Sequence, residues 1–184
     1  MLWIRKYWLP LLAVVLFWDA VLVWWWWQNR LEHSQDAPIR NAAKRYSVEP
    51  ALIKAVIWKE SRFNPRAIGR VQEIGLMQIR EMTGREWAGA EKVAGFKTES
   101  LFDPAVNTLV GAWYLRQALK RYAGTDNPLP YALADYNAGR GNVLKWLHGA
   151  ARTNSAAFIA QIDFPTTQQY VRDVMERRKH YRLF

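Results

Sequence analysis

Residues 50–61 read Pro50-Ala-Leu-Ile-Lys-Ala-Val-Ile-Trp-Lys-Glu-Ser61, in which a nearly all-apolar segment, residues 51–58, is followed by the carboxyl group of Glu60. Pro50 suits the first turn of a helix, and the run behind it has the length and composition of a buried helix. Gly75-Leu-Met-Gln-Ile79 follows after a polar segment without periodicity. The pattern predicts a buried helix that ends near Glu60, with an irregular loop or small hairpin returning beside it.

Glu60 is the candidate general acid. An apolar environment disfavours the charged form of a carboxyl group, so a Glu at the end of a buried helix can hold its proton near neutral pH and donate it to a leaving oxygen. Such proton transfer is typically worth about 10²–10⁴-fold in rate. A helix-end Glu is also commonly a solvated charge, and the residue alone leaves both interpretations open.

Several short motifs together resemble the catalytic domain of the soluble lytic transglycosylases, a family similar to goose-type lysozyme. The motifs are Val48-Glu-Pro-Ala-Leu52, Glu60-Ser-Arg-Phe-Asn-Pro65, Gly75-Leu-Met-Gln-Ile79, Thr83, Leu101-Phe-Asp-Pro104, Asn107 and Ala134-Asp-Tyr-Asn-Ala-Gly139. Their order and spacing match that family, and the resemblance covers about residues 39–182.

The resemblance implies a mainly α, lysozyme-like catalytic domain with two lobes, of which the smaller is irregular or a β-hairpin, and a cleft for a sugar chain between them. It also implies a reaction. Glu60 would protonate the β-1,4 glycosidic oxygen between N-acetylmuramic acid and N-acetylglucosamine in peptidoglycan. The resulting carboxylate would take the proton of the C6 hydroxyl, which attacks C1 and closes a 1,6-anhydro ring without consuming water.

The resemblance further implies substrate-binding roles for Ser61, Met77, Gln78, Tyr136, Asn137 and Tyr170. Ser61 and Gln78 can donate hydrogen bonds, and Met77 can form an apolar wall. Tyrosine suits sugar binding because it has an apolar face and a polar tip. A local bond of Ser61 to its own helix end, and simple core packing of Met77, are the alternatives.

The chain departs from the family pattern at several positions. Many members have Ser where Gly69 stands, Pro at Glu81, Ala at Asp135, Pro at Arg140, and Glu-Thr-Arg where this chain has Thr166-Thr-Gln168. Glu73, Glu81 and Asp135 are extra acids close to the motifs. An acid that faced the cleft could activate water and make the protein a hydrolytic, goose-type lysozyme, whereas solvated loop charges would have no such role.

Helices are predicted over residues 36–46, from Pro50 to about Glu60, and over 129–137, 142–149 and 166–181. Asp103-Pro104 has the form of an N-cap followed by the favoured Pro. Behind it, apolar side chains recur at helical spacing and predict a stripe that faces the core. The stripe consists of Val106, Leu109, Val110, Trp113 and Tyr114.

Residues 7–27 form a long apolar segment interrupted by Pro10 and Asp19. This length is enough to cross a bilayer. Trp24-Trp-Trp-Trp27 at one end, with Trp3 and Trp8 at the other, are typical of aromatic belts at the two membrane surfaces. The basic Arg5 and Lys6 also fit a cleavable signal peptide, although bulky Trp residues stand where a peptidase would need small ones.

We therefore predict an anchor in residues 1–30 and a catalytic domain in residues 31–184. Basic residues flank the apolar segment on both sides, so only the substrate implied by the resemblance directs the domain outward, as a single-pass inner-membrane protein with a periplasmic domain. Asp19 would cost roughly 2.5–3.5 kcal/mol at the centre of the span. Either a partner helix or the many apolar neighbours of Asp19 could offset this cost.

The chain carries a net charge of +10 and contains no Cys, so disulfides and thiol chemistry are excluded. The basic surface fits an anionic partner, but no nucleic-acid module is recognisable. His33, His148 and His180 lack ligand spacing, and neither a metal nor a cofactor is predicted.

A third class of function, besides transglycosylase and hydrolase, is a non-catalytic peptidoglycan-binding module of an envelope-spanning protein complex.

Overall fold

The computed structural model describes the backbone of residues 2–182 and the side chains of residues 7–182. The side chains of Trp3, Arg5 and Lys6, used above for the membrane prediction, lie outside the described residues. The described chain is helical with short irregular connections. Its α-helices are α1 (Leu2–His33), α2 (Asp36–Tyr46), α3 (Pro50–Ser61), α4 (Glu81–Ala90), α5 (Pro104–Arg121), α6 (Pro128–Ala138), α7 (Arg140–Trp146), α8 (Ser155–Gln161) and α9 (Pro165–His180). Single 3₁₀ turns occupy Thr98–Phe102 and Gly149–Arg152.

Helix α1 is the one described helix that is long and apolar enough to cross a membrane, judged by length and composition. Most apolar side chains described over residues 7–27 are exposed, with Trp24 at 63% and Leu11 at 66% of their full accessible area. A soluble domain would bury such a surface against its core. The described part of the segment therefore has the exposure that a lipid-facing helix requires.

Helix α3 is the centre of the core, as predicted. Residues 51–57 are all buried, and α3 packs between α2 and α9. Lys54, the charged residue within the apolar run, is also buried and donates from Nζ to Asp36 Oδ1 over 2.7 Å. A buried ammonium group needs such a partner. The ion pair joins the start of α2 to the middle of α3.

Helix α5 begins as its sequence predicts, because Asp103 accepts hydrogen bonds from the N–H groups of Ala105 and Val106. The predicted core stripe on this helix is only partly correct. Val110 is fully buried, but the other four stripe residues are half-buried. The fully buried face instead carries small and polar residues, among them Asn107, Gly111 and Ala118. Gly111 is required there because a Cβ would lie 2.3 Å from the sulfur of Met77, which packs against α5.

The smaller lobe is formed by residues 62–80. Arg62 and Phe63 both have positive φ, at 53° and 64°, and turn the chain sharply back after Ser61. Isolated antiparallel bridges join Ile74 to Ile68 and to Ile79. The lobe is thus irregular with hairpin-like pairing, and no longer strand occurs in the described residues.

Sequence predicts the existence of α2, α3, α5, α6, α7 and α9 correctly. Helix α7 ends at Trp146, before the predicted 149, because the chain continues as a 3₁₀ turn from Gly149. Helices α4 and α8 were not predicted. Helix α8 has a recognisable start, since the Asn154 side chain accepts from the N–H of Ala157.

Candidate active site

Glu60 is the second-last residue of α3 and faces a cleft between the small lobe and the main helical body. The Tyr170 hydroxyl, from α9, donates to Glu60 Oε1 over 2.6 Å. Burial raises the pKa of the Glu60 carboxyl from 4.5 to about 7. The Tyr170 hydrogen bond lowers this pKa, the charge of Glu73 raises it, and Lys59 lowers it. Burial outweighs the hydrogen bond, and Glu60 is therefore poised to hold and release a proton near neutral pH.

The cleft has a volume of about 390 Å³, within the range of ligand-binding pockets. The small lobe supplies one wall, while α4, α5 and α6 supply the other. The residues that line it, besides Glu60, are Glu73, Gln78, Ile79, Arg80, Met82, Thr83, Tyr114, Asp135, Tyr136, Asn137, Ala138 and Gly139.

A buried asparagine on α5 holds the Gly75–Ile79 segment in place. Met77 N–H donates to Asn107 Oδ1 over 2.8 Å, and Asn107 Nδ2 donates to the carbonyls of Ile74 and Leu101 over 2.8 and 2.7 Å. Gly75 has a φ of 77°, and a Cβ there would collide with the backbone of Leu101. Asn107 therefore binds two backbone groups of the lobe and the Leu101 carbonyl of the 3₁₀ turn, although the Ile74 carbonyl also accepts from Ile79 N–H within the lobe.

Ser61 and Gln78, two of the predicted substrate-binding residues, both have internal partners. The Ser61 hydroxyl donates to the Leu76 carbonyl over 2.8 Å and lies 3.3 Å from the Ile57 carbonyl. Ser61 thus ties the end of α3 to the returning loop. Gln78 has a φ of 49° and donates from Nε2 to the Gly75 carbonyl, while its side chain also lines the cleft.

Met77 and Tyr170 are not at the cleft surface. Met77 is fully buried, with its sulfur against Gly111 of α5, so the core-packing interpretation of this residue is the one that the structure supports. Tyr170 is 3% exposed and reaches the site only through its hydrogen bond to Glu60. The structure therefore places the Tyr170 hydroxyl on the Glu60 carboxyl, and the contact of Tyr170 with substrate stays a prediction.

Tyr136 and Asn137 do line the cleft, at the end of α6. The Tyr136 hydroxyl donates to the Met77 carbonyl over 2.6 Å, and its ring packs edge-on against Tyr114. Asn137 is exposed, and its Oδ1 accepts a hydrogen bond from Thr167 of α9. Each of these side chains is fixed by a partner on another element, which presents a rigid wall to a ligand.

The extra acids differ in their surroundings. Asp135 borders the cleft, but its carboxylate is fully buried and accepts from Tyr114, Arg121 and Tyr122. Glu81 is about half exposed and pairs with Arg85 on the same helix. Glu73 also lines the cleft, and its side chain is partly exposed there, unlike that of Asp135.

Sequence reasoning missed the roles of Asn107 and Tyr114, although Asn107 belonged to a quoted motif. A polar residue within an apolar helical stripe was the available signal for Asn107.

In the described part of the chain, no group of three or more His, Cys, Asp or Glu side chains is arranged to hold a metal ion. The polar side chains that line the cleft carry carboxyl, hydroxyl, amide and guanidinium groups.

The family model described as the transglycosylase SLT domain matches residues 37–159, more than half of the chain. The chain belongs to the transglycosylase SLT domain family. The matched residues include Glu60, the Gly75–Ile79 segment and the cleft wall at the end of α6. Both the recognised family and the mainly helical, lysozyme-like fold expected from the motifs are confirmed.

Two relatives of this SLT-domain chain are named lytic murein transglycosylases. It is 29% identical over 164 residues to the soluble lytic murein transglycosylase of Escherichia coli K12, covering 88% of this chain and 25% of that protein. It is 38% identical over 119 residues to membrane-bound lytic murein transglycosylase C of Klebsiella pneumoniae, covering 61% of this chain and 33% of that protein. The chain thus spans only a quarter to a third of the length of these relatives.

Solved structures of the SLT family resemble the fold. An inactive mutant of the lytic transglycosylase Slt from Pseudomonas aeruginosa superposes with a TM-score of 0.74 at 30% identity, over 83% of this chain and 24% of that one. A complex of the 70-kDa soluble lytic transglycosylase with bulgecin A gives a TM-score of 0.75 at 27% identity, over 84% of this chain and 25% of that one.

Proposed function

We propose that the protein is a peptidoglycan lytic transglycosylase that cleaves the β-1,4 bond between N-acetylmuramic acid and N-acetylglucosamine. The observation that carries the proposal is the Glu60 carboxyl, which burial gives a pKa of about 7 at the wall of a pocket-sized cleft. Membership of the SLT family, whose relatives are named lytic murein transglycosylases, supports the substrate class.

In the proposed reaction, Glu60 donates its proton to the glycosidic oxygen as the bond to C1 breaks. The C6 hydroxyl of the same muramic acid then attacks C1 and returns its proton to Glu60, so the acid is regenerated in one turnover. Tyr170 holds the Glu60 carboxyl in place. Because Glu60 must start protonated, activity is expected to fall as the pH rises through about 7.

The product distinguishes the transglycosylase from a hydrolase on the same fold. Purified peptidoglycan digested by the protein is expected to give muropeptides that end in 1,6-anhydro-N-acetylmuramic acid, one water lighter than hydrolysed products and without a reducing end. Mass spectrometry before and after borohydride reduction separates the two. Reducible ends as the main product would reject the proposal and favour a goose-type lysozyme, for which Glu73 is the cleft acid available to activate water.

We further propose that α1 anchors the protein in the inner membrane as a single span, with residues 31–184 as a periplasmic catalytic domain. The exposed apolar surface of α1, the exposed Trp24–Trp27 and the membrane-bound name of one relative support this arrangement. Glu32, at the end of α1, pairs with Arg177 of α9. The anchor thus continues directly into contacts with the catalytic domain.

The anchor proposal predicts two fractionation results. Full-length protein should sediment with inner membranes at its unprocessed mass, whereas a form that begins at Leu31 should be soluble and should lyse isolated sacculi. The shorter form keeps Glu32 and therefore the pair with Arg177. Recovery of a shortened, freely soluble periplasmic protein from cells that express the full chain would show that residues 7–27 act as a cleaved signal.

A further inference from the structure

Glu73 brings a second carboxylate to the cleft that Glu60 faces. It lies in the small lobe, two residues before Gly75, and its side chain is 21% exposed. Glu60 and Glu73 both line the cleft, one from each side of the boundary between the lobe and the helical body. They are close enough for the charge of Glu73 to act on Glu60.

The Glu73 side chain is held in its position by the lobe itself. Its Oε2 accepts a hydrogen bond from Val71 N–H over 3.1 Å, and the Arg80 guanidinium lies 3.6 Å from its Oε1. The Glu73 carbonyl accepts from Gly69 N–H over 2.8 Å, which closes a tight loop over residues 69–73. Gln72 makes that loop possible with a φ of 66°.

Gly69 leaves the space that the Glu73 carboxylate occupies. A Cβ at position 69 would collide with Glu73 Oε2 and would lie 2.7 Å from Gln78 Oε1. Any larger residue would therefore push both polar groups from their places. The departure from the family pattern at Gly69 and the acid at position 73 are thus structurally coupled.

Asp135 and Glu81 do not share this position. The Asp135 carboxylate is fully buried and is neutralised by Arg121 at 2.5 Å, while Glu81 lies on the exposed first turn of α4. Asp135 and Glu73 both line the cleft with Glu60, but of the two only the Glu73 side chain is partly exposed there. Glu73 therefore presents a carboxylate to the cleft, with the Arg80 guanidinium 3.6 Å from it.

We propose that Glu73 is a second functional carboxylate of the cleft, which stabilises the positive charge that develops on the reacting sugar, and that Gly69 is the residue that admits it. This inference rests on the proposed transglycosylase function. When Glu60 protonates the leaving oxygen, the bond from C1 to that oxygen breaks and positive charge spreads over C1 and the ring oxygen. A fixed negative charge in a partly water-excluded cleft favours that state electrostatically.

The same charge has a second, measurable effect. The charge of Glu73 raises the pKa of Glu60. The hydrogen bond from Tyr170 and the charge of Lys59 both lower the pKa of Glu60. Tyr136 faces Glu60 from α6, and Arg80 is the cation beside Glu73. Removal of the Glu73 charge is therefore expected to lower the Glu60 pKa, so that activity is lost at a lower pH.

Glu73→Gln tests the inference because an amide oxygen can still accept from Val71 N–H. We expect kcat on purified glycan strands to fall at least about tenfold, and the alkaline limb of the pH profile to move to lower pH. Glu81→Gln is the matched control, since it removes an equal charge from the exposed start of α4, and it should leave both readouts unchanged. Gly69→Ala should act in the same direction as Glu73→Gln by displacing the carboxylate.

Tyr170→Phe provides a control of opposite sign. Loss of its hydrogen bond removes an influence that lowers the Glu60 pKa, and the alkaline limb should then move to higher pH. A purely structural role of Glu73 would change stability without moving the limb, so thermal unfolding is measured in parallel. Loss of thermal stability by Glu73→Gln without a shift of the limb counts against the inference.

The products of the wild-type protein separate the two possible failures. Anhydro products from the wild type, with wild-type kcat and pH limb in Glu73→Gln, would overturn the role of Glu73 and leave the transglycosylase proposal standing. Reducing ends from the wild type would overturn both, because a carboxylate in the cleft would then serve to activate water. Anhydro products with the expected loss and shift in Glu73→Gln would support the inference.

Discussion

Glu60→Gln is expected to abolish lysis of isolated sacculi, with a loss of at least about 100-fold in rate. Glutamine keeps the shape of the side chain and can still accept the Tyr170 hydroxyl, but it has no proton to donate. Burial raises the pKa of the Glu60 carboxyl to about 7, whereas the amide of the variant does not titrate at all. Turbidity loss of sacculi and release of soluble muropeptides both measure the effect.

The control for this variant is Glu99→Gln, which alters an exposed glutamate in the 3₁₀ turn Thr98–Phe102 and should lyse normally. Folding of Glu60→Gln, followed by circular dichroism, and its co-sedimentation with sacculi should match the wild type. A rate within a few-fold of wild type would show that another group supplies the proton.

Asn107→Leu is expected to lower the free energy of unfolding by about 2–6 kcal/mol, since two buried backbone groups lose their hydrogen bond. Leucine has a similar volume but leaves Met77 N–H and the Leu101 carbonyl without this partner, while the Ile74 carbonyl keeps its bond from Ile79 N–H. Each buried backbone group that loses its hydrogen bond costs roughly 1–3 kcal/mol. The Gly75–Ile79 wall would also loosen. Lytic activity should therefore fall even at temperatures well below the unfolding temperature, where the protein is still folded. Urea unfolding and activity, measured on the same preparation, report the two effects.

Asn142→Leu is the matched control. Asn142 is half-buried and donates one hydrogen bond, from Nδ2 to the Ala138 carbonyl at the end of α6. Its replacement is expected to cost about 1 kcal/mol and to leave lysis intact. Equal losses of stability in the two variants would contradict the role of Asn107 as the clamp of the small lobe.

Local signals in the sequence predicted most helices because their chemistry acts over a few residues. Pro50 and Pro104 favour a helix start because their φ angle is already helical. Asp103 caps α5 by accepting hydrogen bonds from the first turn of that helix. Neither effect depends on the rest of the fold. Helices α4 and α8 were missed because α4 lacks a side-chain cap and α8 is short.

The motifs located the candidate site but did not settle which way each side chain points. Met77 faces Gly111 because the irregular lobe turns that residue inward, and Tyr170 reaches Glu60 because α9 packs on α3. Both outcomes depend on contacts between distant parts of the chain. The same holds for Glu73, Glu81 and Asp135, whose difference lies in the partners that the fold brings to them.

The contact of Glu32 with Arg177 limits where the catalytic domain of an anchored protein would act. Only Ser34 and Gln35 separate α1 from α2, so a membrane-embedded α1 would leave the domain no flexible stalk. A flexible linker lets a tethered domain sweep a volume that grows with linker length. Here the cleft would travel laterally with the anchor at nearly constant height, and the enzyme would meet only those strands that lie closest to the bilayer. The distance of a glycan strand from the bilayer would then decide whether it is cut, before the cleft recognises any feature of that strand.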